Sequence, residues 1–476
     1  MKKIKIDAIN YSAVAEFDYY GRDGKILLRK GMPIGKSILN ALSRRNISHL
    51  YVQEEGEDIQ KLFQLKELDD MDDDIAFELS IPGEAPVSAS VEPPPKKVVF
   101  DNSFWEKTFP SLAAMKRGEE GVRQILKSEV VQALENAIEN KSIELSVVPK
   151  GIPIKEVAQE IAPGSRTQEY KTELVSDYAR SLGEVKDLFL RIRNGRTVTA
   201  GRITGLVKGF IKTYLNDKHI LLNLANERTR DTEYLFSHSL NVSLIAISIG
   251  SSRGFDQDQI LEVGTGGLLH DIGALFIPED IRLKKEPLDK DEIFEVQKHP
   301  MIGIHFIEKI NGLPQIIQFI CYQSHERENR EGYPKQRGGR LIHDYSKIVS
   351  VADIYESLTS ERPYRKAMAP YKAMKYLLAA VKNGLLNPST VKHYLVHTSL
   401  FPVGSLVKLD NGEIAKVIKP NGTHYDRPVI SVVMDADNRL INEGEIKSYD
   451  LTKSHDLKII QGIDNQKMDI GIMRGL

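Results

Sequence analysis

A chain of 476 residues is too long for one ordinary core, and with 41% apolar residues it can bury about three domains' worth. Its 65 Lys and Arg against 66 Asp and Glu leave no global field to draw DNA or an anionic membrane, and the single cysteine, Cys321, excludes an intrachain disulfide and fits a reducing compartment. No stretch approaches the roughly 18 uninterrupted apolar residues of a membrane span, and acidic and aromatic residues interrupt the N-terminal run where a signal peptide would be apolar, so a cytoplasmic protein is expected.

Residues 1 to 66 read as a small α/β module: a strand at Lys25 to Leu28, a turn at Lys30-Gly31 and Pro33, a helix from Ser37 to Arg45 and a second strand from Ile47 to Val52. Residues 67 to 99 open with an acidic run from Glu67 to Asp74 and continue into Pro93-Pro94-Pro95. Repelling charge and prolines without an apolar period make a linker. From 100 to 227 the pattern is mostly helical, broken at Gly151 to Pro153 and at Pro163-Gly164. It carries no nameable chemistry and is expected to be a regulatory spacer or dimerisation region. Residues 401 to 463 switch to period-two patterning with turn signals at Asp410-Asn411-Gly412 and Asp437-Asn438, the mark of a small β-domain.

The chemistry lies between, in residues 228 to 400, where five segments supply histidine and aspartate: SHSLNV (His238), LLHDIG (His270, Asp271), KHPMIG (His299), SHERENREGYP (His325) and SVADIYESLTSERPYR (Asp353). Leu235, His238, Val242, Ile245 and Ile249 share one helical stripe, so His238 is expected on a buried face. A lone histidine there is more often a hydrogen-bonded core residue. His270 and Asp271 point about 100° apart if helical and reach one metal only near a helix end, where Gly273 lets the chain turn. Asp353 stands among Ile348, Val349, Val351, Ala352 and Ile354, and a carboxylate buried there needs a cation or a proton. His299 precedes Pro300 and is placed at a helix start, while His325 ends a segment that breaks into the loop from Glu326 to Glu331. Together these six residues read as one metal site, and imidazoles with a bridging carboxylate suit Fe or Mn as well as Zn.

HDIG at 270 to 273, the GYP triplet at 332 to 334 and Arg362-Pro363-Tyr364-Arg365 beyond Asp353 give the segment its resemblance to the HD-GYP family of metal-dependent phosphohydrolases. The resemblance implies a multidomain, mainly α protein, with an all-α catalytic domain between the N-terminal α/β module and the C-terminal β-domain. It implies hydrolysis of the bacterial second messenger cyclic di-GMP to pGpG or GMP. His238, His270, Asp271 and Asp353 would hold one divalent ion, and Asp271 would bridge to a second held by His299 and His325, with Fe or Mn the expected metals. Two cations about 3.5–4 Å apart can activate a water for in-line attack, which makes Asp271 the central catalytic residue. Arg362 and Arg365 would grip phosphate or a guanine edge.

The chain departs from the family pattern in four places. Ala274 stands where a lysine follows HDIG, Ser324 replaces the first histidine of a tandem pair, and Asn329-Arg330 replaces Asp-Gly. Arg330 is the candidate to replace the lost cation. Tyr234 replaces a glutamate that some members use for a third metal, so two metals at most are expected. Ala274 and Ser324 also keep open an impaired enzyme or a degenerate domain that serves as a cyclic di-GMP receptor or scaffold. Expected partners are cyclic di-GMP, a second copy bound through the helical region, and signalling proteins.

Overall fold

The computed structural model describes residues 2–5, 19–20, 26–28, 49–52, 116–156, 168–216, 234–362, 365–422, 424–441, 446–454 and 456–463. The expected helix from Ser37 to Arg45 and the linker of residues 67–99 lie outside them. In the N-terminal module the described strands are β1 (Lys2–Lys5), β2 (Tyr19–Tyr20), β3 (Ile26–Leu28) and β4 (His49–Val52), in an antiparallel sheet ordered β1-β4-β2-β3. The two expected strands fall on β3 and β4.

The rest is mainly helical. Helices α1 (Gly118–Ile125), α2 (Glu129–Glu139), α3 (Gln168–Arg193) and α4 (Ala200–Asn216) come first. They are followed by α5 (Tyr234–Ser252), α6 (Gln257–Leu269), α7 (Glu279–Arg282), α8 (Lys290–Gln297), α9 (His299–Glu308) and α10 (Ile316–Gln323). The last are α11 (Asp344–Thr359), α12 (Pro370–Lys382) and α13 (Pro388–Thr398). Local chemistry marks their starts. Asp256 and Gln259 form a capping box on α6, and Asn387 caps α13 ahead of Pro388.

Helix α5 lies at the centre. The sequence pattern suggested one buried stripe, but every residue from Leu235 to Ser251 is buried. A helix surrounded on all sides has only the protein to offer partners for its polar side chains, and three of its serines find backbone carbonyls. Ser237 donates to Tyr234 O, Ser248 to Ile245 O, and Ser243 crosses to Gly264 O at 2.8 Å. The crossing is close because α6 presents glycine there: a Cβ on Gly267 would stand 3.1 Å from Ser243 Cα. By length and composition Tyr234–Ser252 would also suit a membrane, yet 94% of its most apolar 18-residue window is buried in the fold.

One hydrophobic cluster runs from Val122 in α1 through Val207 in α4, Ile245 in α5 and Ile348 in α11 to Leu451. Residues 116–156 strap across the histidine-bearing helices. On α2, Glu135 is 4% exposed and accepts from Tyr322 Oη at 2.8 Å and from Arg337 Nη2. Further along, Val147 N donates to Asp344 Oδ2 at 3.0 Å, and Lys150 N to Gln259 Oε1 at 3.0 Å.

The C-terminal part is an antiparallel sheet of β5 (Leu406–Leu409), β6 (Ile414–Lys419), β7 (Val429–Met434), β8 (Ser448–Asp450) and β9 (Ile459–Ile463), ordered β8-β7-β6-β5-β9. Asp410-Asn411-Gly412 turns β5 into β6 with Gly412 at φ 91°, and Asn438 (φ 61°) follows β7 in the second expected turn. The protein is thus mainly helical and carries a small C-terminal sheet.

Candidate metal centre

The six residues predicted as ligands come from five separate elements, and the fold brings all of them together. His238 sits one turn into α5. His270 ends α6 and Asp271, at φ −106° and ψ 15°, starts a 3-10 helix at Ile272–Phe276. That change of helix type lets adjacent side chains converge. Gly273 contributes in a different way from the expected turn. It is not among the positive-φ glycines, but a Cβ there would lie 2.0 Å from His299 O and 2.6 Å from Gly303 N. The missing side chain lets the HDIG turn rest on the start of α9, where His299 stands ahead of Pro300.

The distances are those of a ligand cluster. Asp271 Oδ1 lies 3.0 Å from Nε2 of both His299 and His325, and 3.3 Å from His270 Nε2. Its other oxygen is 3.5 Å from His238 Nε2, which is 3.4 Å from Asp353 Oδ1. Asp353 Oδ2 approaches His325 Nδ1 at 3.6 Å. Ligand atoms at right angles around an ion with bonds of about 2.1 Å stand about 3 Å apart, so these contacts have the right scale.

Outer partners aim the rings. His270 Nδ1 donates to Gly267 O at 2.8 Å and His299 Nδ1 to Val296 O at 2.7 Å, so each ring turns its Nε2 into the cluster. His270 Nε2 is buried without a hydrogen-bond partner. A buried lone pair facing two carboxylates is an orphan that a cation would satisfy. His238 Nδ1 pairs with Glu356 Oε2. Arg362 Nη2 also lies 3.0 Å from that nitrogen, but a proton shared with Glu356 makes this a close approach between donors. His325 stacks on Tyr333, ring centroids 4.9 Å apart and planes 2° from parallel.

The electrostatics separate His238 from His270 and His325. Burial holds the His270 pKa below its ordinary value and takes His325 down to about 4, so both are neutral imidazoles at pH 7. For His238 burial works the same way, but Glu356 and the two aspartates outweigh it and raise the pKa well above 6.5. Asp271 and Asp353, despite burial, are held well down by the surrounding histidines, and Glu356 falls to about 2. Within this centre, His238, His270 and Asp353 form one group able to hold an ion, and His270, Asp271 and His325 another.

The arginines behave differently from expectation. Arg362 has a side chain only 7% exposed. It donates to Glu356 Oε2 and Ser357 Oγ, and its guanidinium lies 4.6 Å from the centroid of the Tyr234 ring. Tyr234, which stands where some relatives carry a ligand, therefore supports an arginine. Arg365 donates to Leu358 O and to Ser357 O, capping the C-terminus of α11. Both hold the end of that helix. Arg330 is exposed at φ 68° on the turn after His325. Ser324 Oγ turns back to Cys321 O at 3.3 Å, away from the ligand cluster, and Ala274 brings no cation.

Sequence reasoning missed Glu356 and Asn241. Each follows a candidate ligand by three residues on the same helix, Asp353 and His238 respectively, which was the available signal. It also missed Glu326, whose carboxylate accepts from Lys335 N and Arg337 N and closes the GYP loop; burial raises its pKa to about 7.

Comparison with known proteins places this geometry. The family model described as "HD domain" matches residues 215–389, and "KOW domain associated with HD domain" matches 406–470. A cyclic di-GMP phosphodiesterase of Pseudomonas aeruginosa is 27% identical over 262 residues, 55% of this chain and 63% of that protein. A 3'3'-cGAMP-specific phosphodiesterase of Vibrio cholerae is 28% identical over 168 residues, 35% of this chain and 39% of the relative. The chain thus spans less than two thirds of the length of these relatives. Among solved structures, an HDG"Y"P protein from Bdellovibrio bacteriovorus aligns over 83% of this chain and 97% of its own, with 14% identity and a TM-score of 0.35. Since the HD match encloses every one of the converging histidines and aspartates, and the GYP turn stacks directly on His325, this chain is an HD-GYP domain protein.

Proposed function

We propose that the protein is a phosphodiesterase that hydrolyses cyclic di-GMP to pGpG or GMP. The observation that carries this reading is the convergence on Asp271 of four imidazoles, with the Nε2 of His270 buried and unsatisfied. His238, His270, Asp271 and Asp353 would hold one divalent ion, and Asp271, His299 and His325 a second, with Fe or Mn the metals these donors suit. Bound there, the ions would supply a water activated at neutral pH and charge stabilisation at the leaving oxygen. The chain's own part is to fix that donor set. Gly267 O, Val296 O and Glu356 lock three rings, and Tyr333 holds the fourth by stacking. Arg330, exposed on the turn next to His325, is the arginine we assign to a substrate phosphate, in place of Arg362 and Arg365.

The domain division belongs to the same proposal: residues 228–400 catalyse, the module at 1–66 and the helices at 100–227 regulate or dimerise, residues 67–99 link them, and 401–463 form a small β-domain. So do a cytoplasmic setting, a second copy bound through residues 100–227, and signalling proteins as partners.

The test counts metals by elemental analysis in the purified chain and then follows cyclic di-GMP by chromatography with Mn or Fe(II), with 3'3'-cGAMP in parallel. Two metals per chain and conversion to pGpG or GMP, abolished in Asp271→Ala, support the reading. Nucleotide binding without product would make the domain a receptor. Preference for 3'3'-cGAMP would move the substrate while keeping the chemistry.

A further inference from the structure

Glu356 is 1% exposed, and its carboxylate is fully engaged. One oxygen takes His238 Nδ1–H and Arg362, and the other accepts from Ser360 Oγ at 2.6 Å and from Asn241 Nδ2 at 3.3 Å. The contact with Asn241 fixes that buried amide. A flip would set its oxygen against a carboxylate, so Oδ1 must face the other way, toward α3. There Tyr178 Oη donates to it at 2.8 Å. The result is a directional line of hydrogen bonds from a hydroxyl on α3, through an amide, to a carboxylate that orients a histidine of the metal centre. Helix α3 lies wholly outside the residues the HD model matches, and Tyr178 is half-buried on a 26-residue helix. Each member polarises the next, so loss of the first loosens the last.

We propose that Tyr178 is a positioning residue: acting through Asn241 and Glu356, it couples the setting of α3 to the orientation of His238 and so to metal affinity at His238, His270 and Asp353. The inference rests on the metal reading given above. It supplies a route by which movement of the helices preceding the catalytic part would tune metal occupancy, because shifting α3 away from α5 breaks the line at its outermost bond.

The test measures Mn(II) affinity by competition with a fluorescent chelator, on the full chain, in wild type, Tyr178→Phe, Asn241→Leu and the double variant. Direct partners of metal-binding histidines are worth about ten- to hundredfold in affinity. One step further out, about tenfold weakening is expected for Asn241→Leu and about threefold for Tyr178→Phe. Because both break one line, the double variant is expected to be no weaker than Asn241→Leu alone. Variants that bind Mn(II) like wild type, whatever their melting temperatures, overturn the relay, and so do effects that multiply as independent changes. Tyr178→Phe keeps the ring and removes one oxygen, so it stays decisive where Asn241→Leu fails to fold. Wild type that takes up no Mn(II) would overturn the metal reading and the relay together, whereas binding by wild type and equal binding by the variants overturns the relay alone.

Discussion

Nε2 of His299 stands 2.9 Å from Nε2 of His325, and Oδ1 of Asp271 lies 3.0 Å from each. Val296 O already accepts the Nδ1 proton of His299, which turns its Nε2 into the triangle. One proton can serve a single contact of this triangle; a cation serves all three. Chelator treatment is therefore expected to lower the melting temperature by several degrees. An ion at a hundred times its dissociation constant contributes about 2.7 kcal/mol to the folded state. Asp271→Ala should melt at the same temperature with and without Mn(II), and a chelator-insensitive wild type would count against the site.

Gly273 touches backbone, where nothing can swing aside. Gly273→Ala would place a Cβ 2.0 Å from His299 O, so α9 must move and carry His299 with it. Overpacking of this kind costs about 1–3 kcal/mol or more. Chemical denaturation should show that loss, and bound metal measured on the same sample should fall in step. Full metal content with reduced stability would separate the two effects.

Glu135 ties the strap to α10 through Tyr322 and to the GYP loop through Arg337, with its side chain 5% exposed and that of Arg337 14%. Glu135→Ala leaves a buried arginine and a buried phenol without their acceptor, at a cost of about 3 kcal/mol or more. Glu135→Gln retains an acceptor for one of them and should lose less. Urea unfolding of the three proteins gives the ranking, and equal stability of all three would contradict it.

His343 starts α11 by accepting from Tyr345 N on Nδ1 at 3.0 Å, which requires the neutral ring. Burial, with Arg253 and Lys347 nearby, takes its pKa from 6.5 to about 4. Between those values the unfolded chain binds a proton that the folded chain refuses. Its contribution is thus complete above about pH 6.5, declines as pH falls, and is gone below about pH 4. The difference amounts to about 3 kcal/mol. His343→Asn keeps a helix-capping oxygen without the titration, so its stability should fall less than wild type between pH 7 and 4.5. Parallel pH profiles would refute this.

Arg330→Ala should raise the KM for cyclic di-GMP about ten- to hundredfold, the worth of one charge-assisted hydrogen bond, with metal content unchanged. Equal loss of metal and substrate binding would take Arg330 out of the substrate role.

The residues that converge were legible because their types and spacings are local facts: HDIG must end a helix, His299 must start one beside Pro300, and Asp353 needs company among isoleucines and valines. Their supports were not. Glu356 and Asn241 read as ordinary helix residues until α11 and α3 are known to face α5, and no spacing within one helix announces that. The setting of Arg362 and Arg365 was hidden for the opposite reason. Two arginines close together look like an anion grip, but the end of α11 leaves carbonyls and a buried carboxylate that claim them first. The turns at Gly412 and Asn438 were readable because positive φ restricts the residues allowed there.

A protease or a cloning boundary placed where the HD match starts, at residue 215, would cut inside the last turn of α4, which ends at Asn216. Val207, Phe210, Ile211 and Tyr214 would leave with the discarded piece, although all four are buried in the cluster that also holds α5. The stretch that recurs among relatives is thus shorter than the stretch that buries its own apolar surface. An excised fragment of residues 215–389 should expose the flank of α5 and precipitate, while one that begins ahead of α1 keeps its cover.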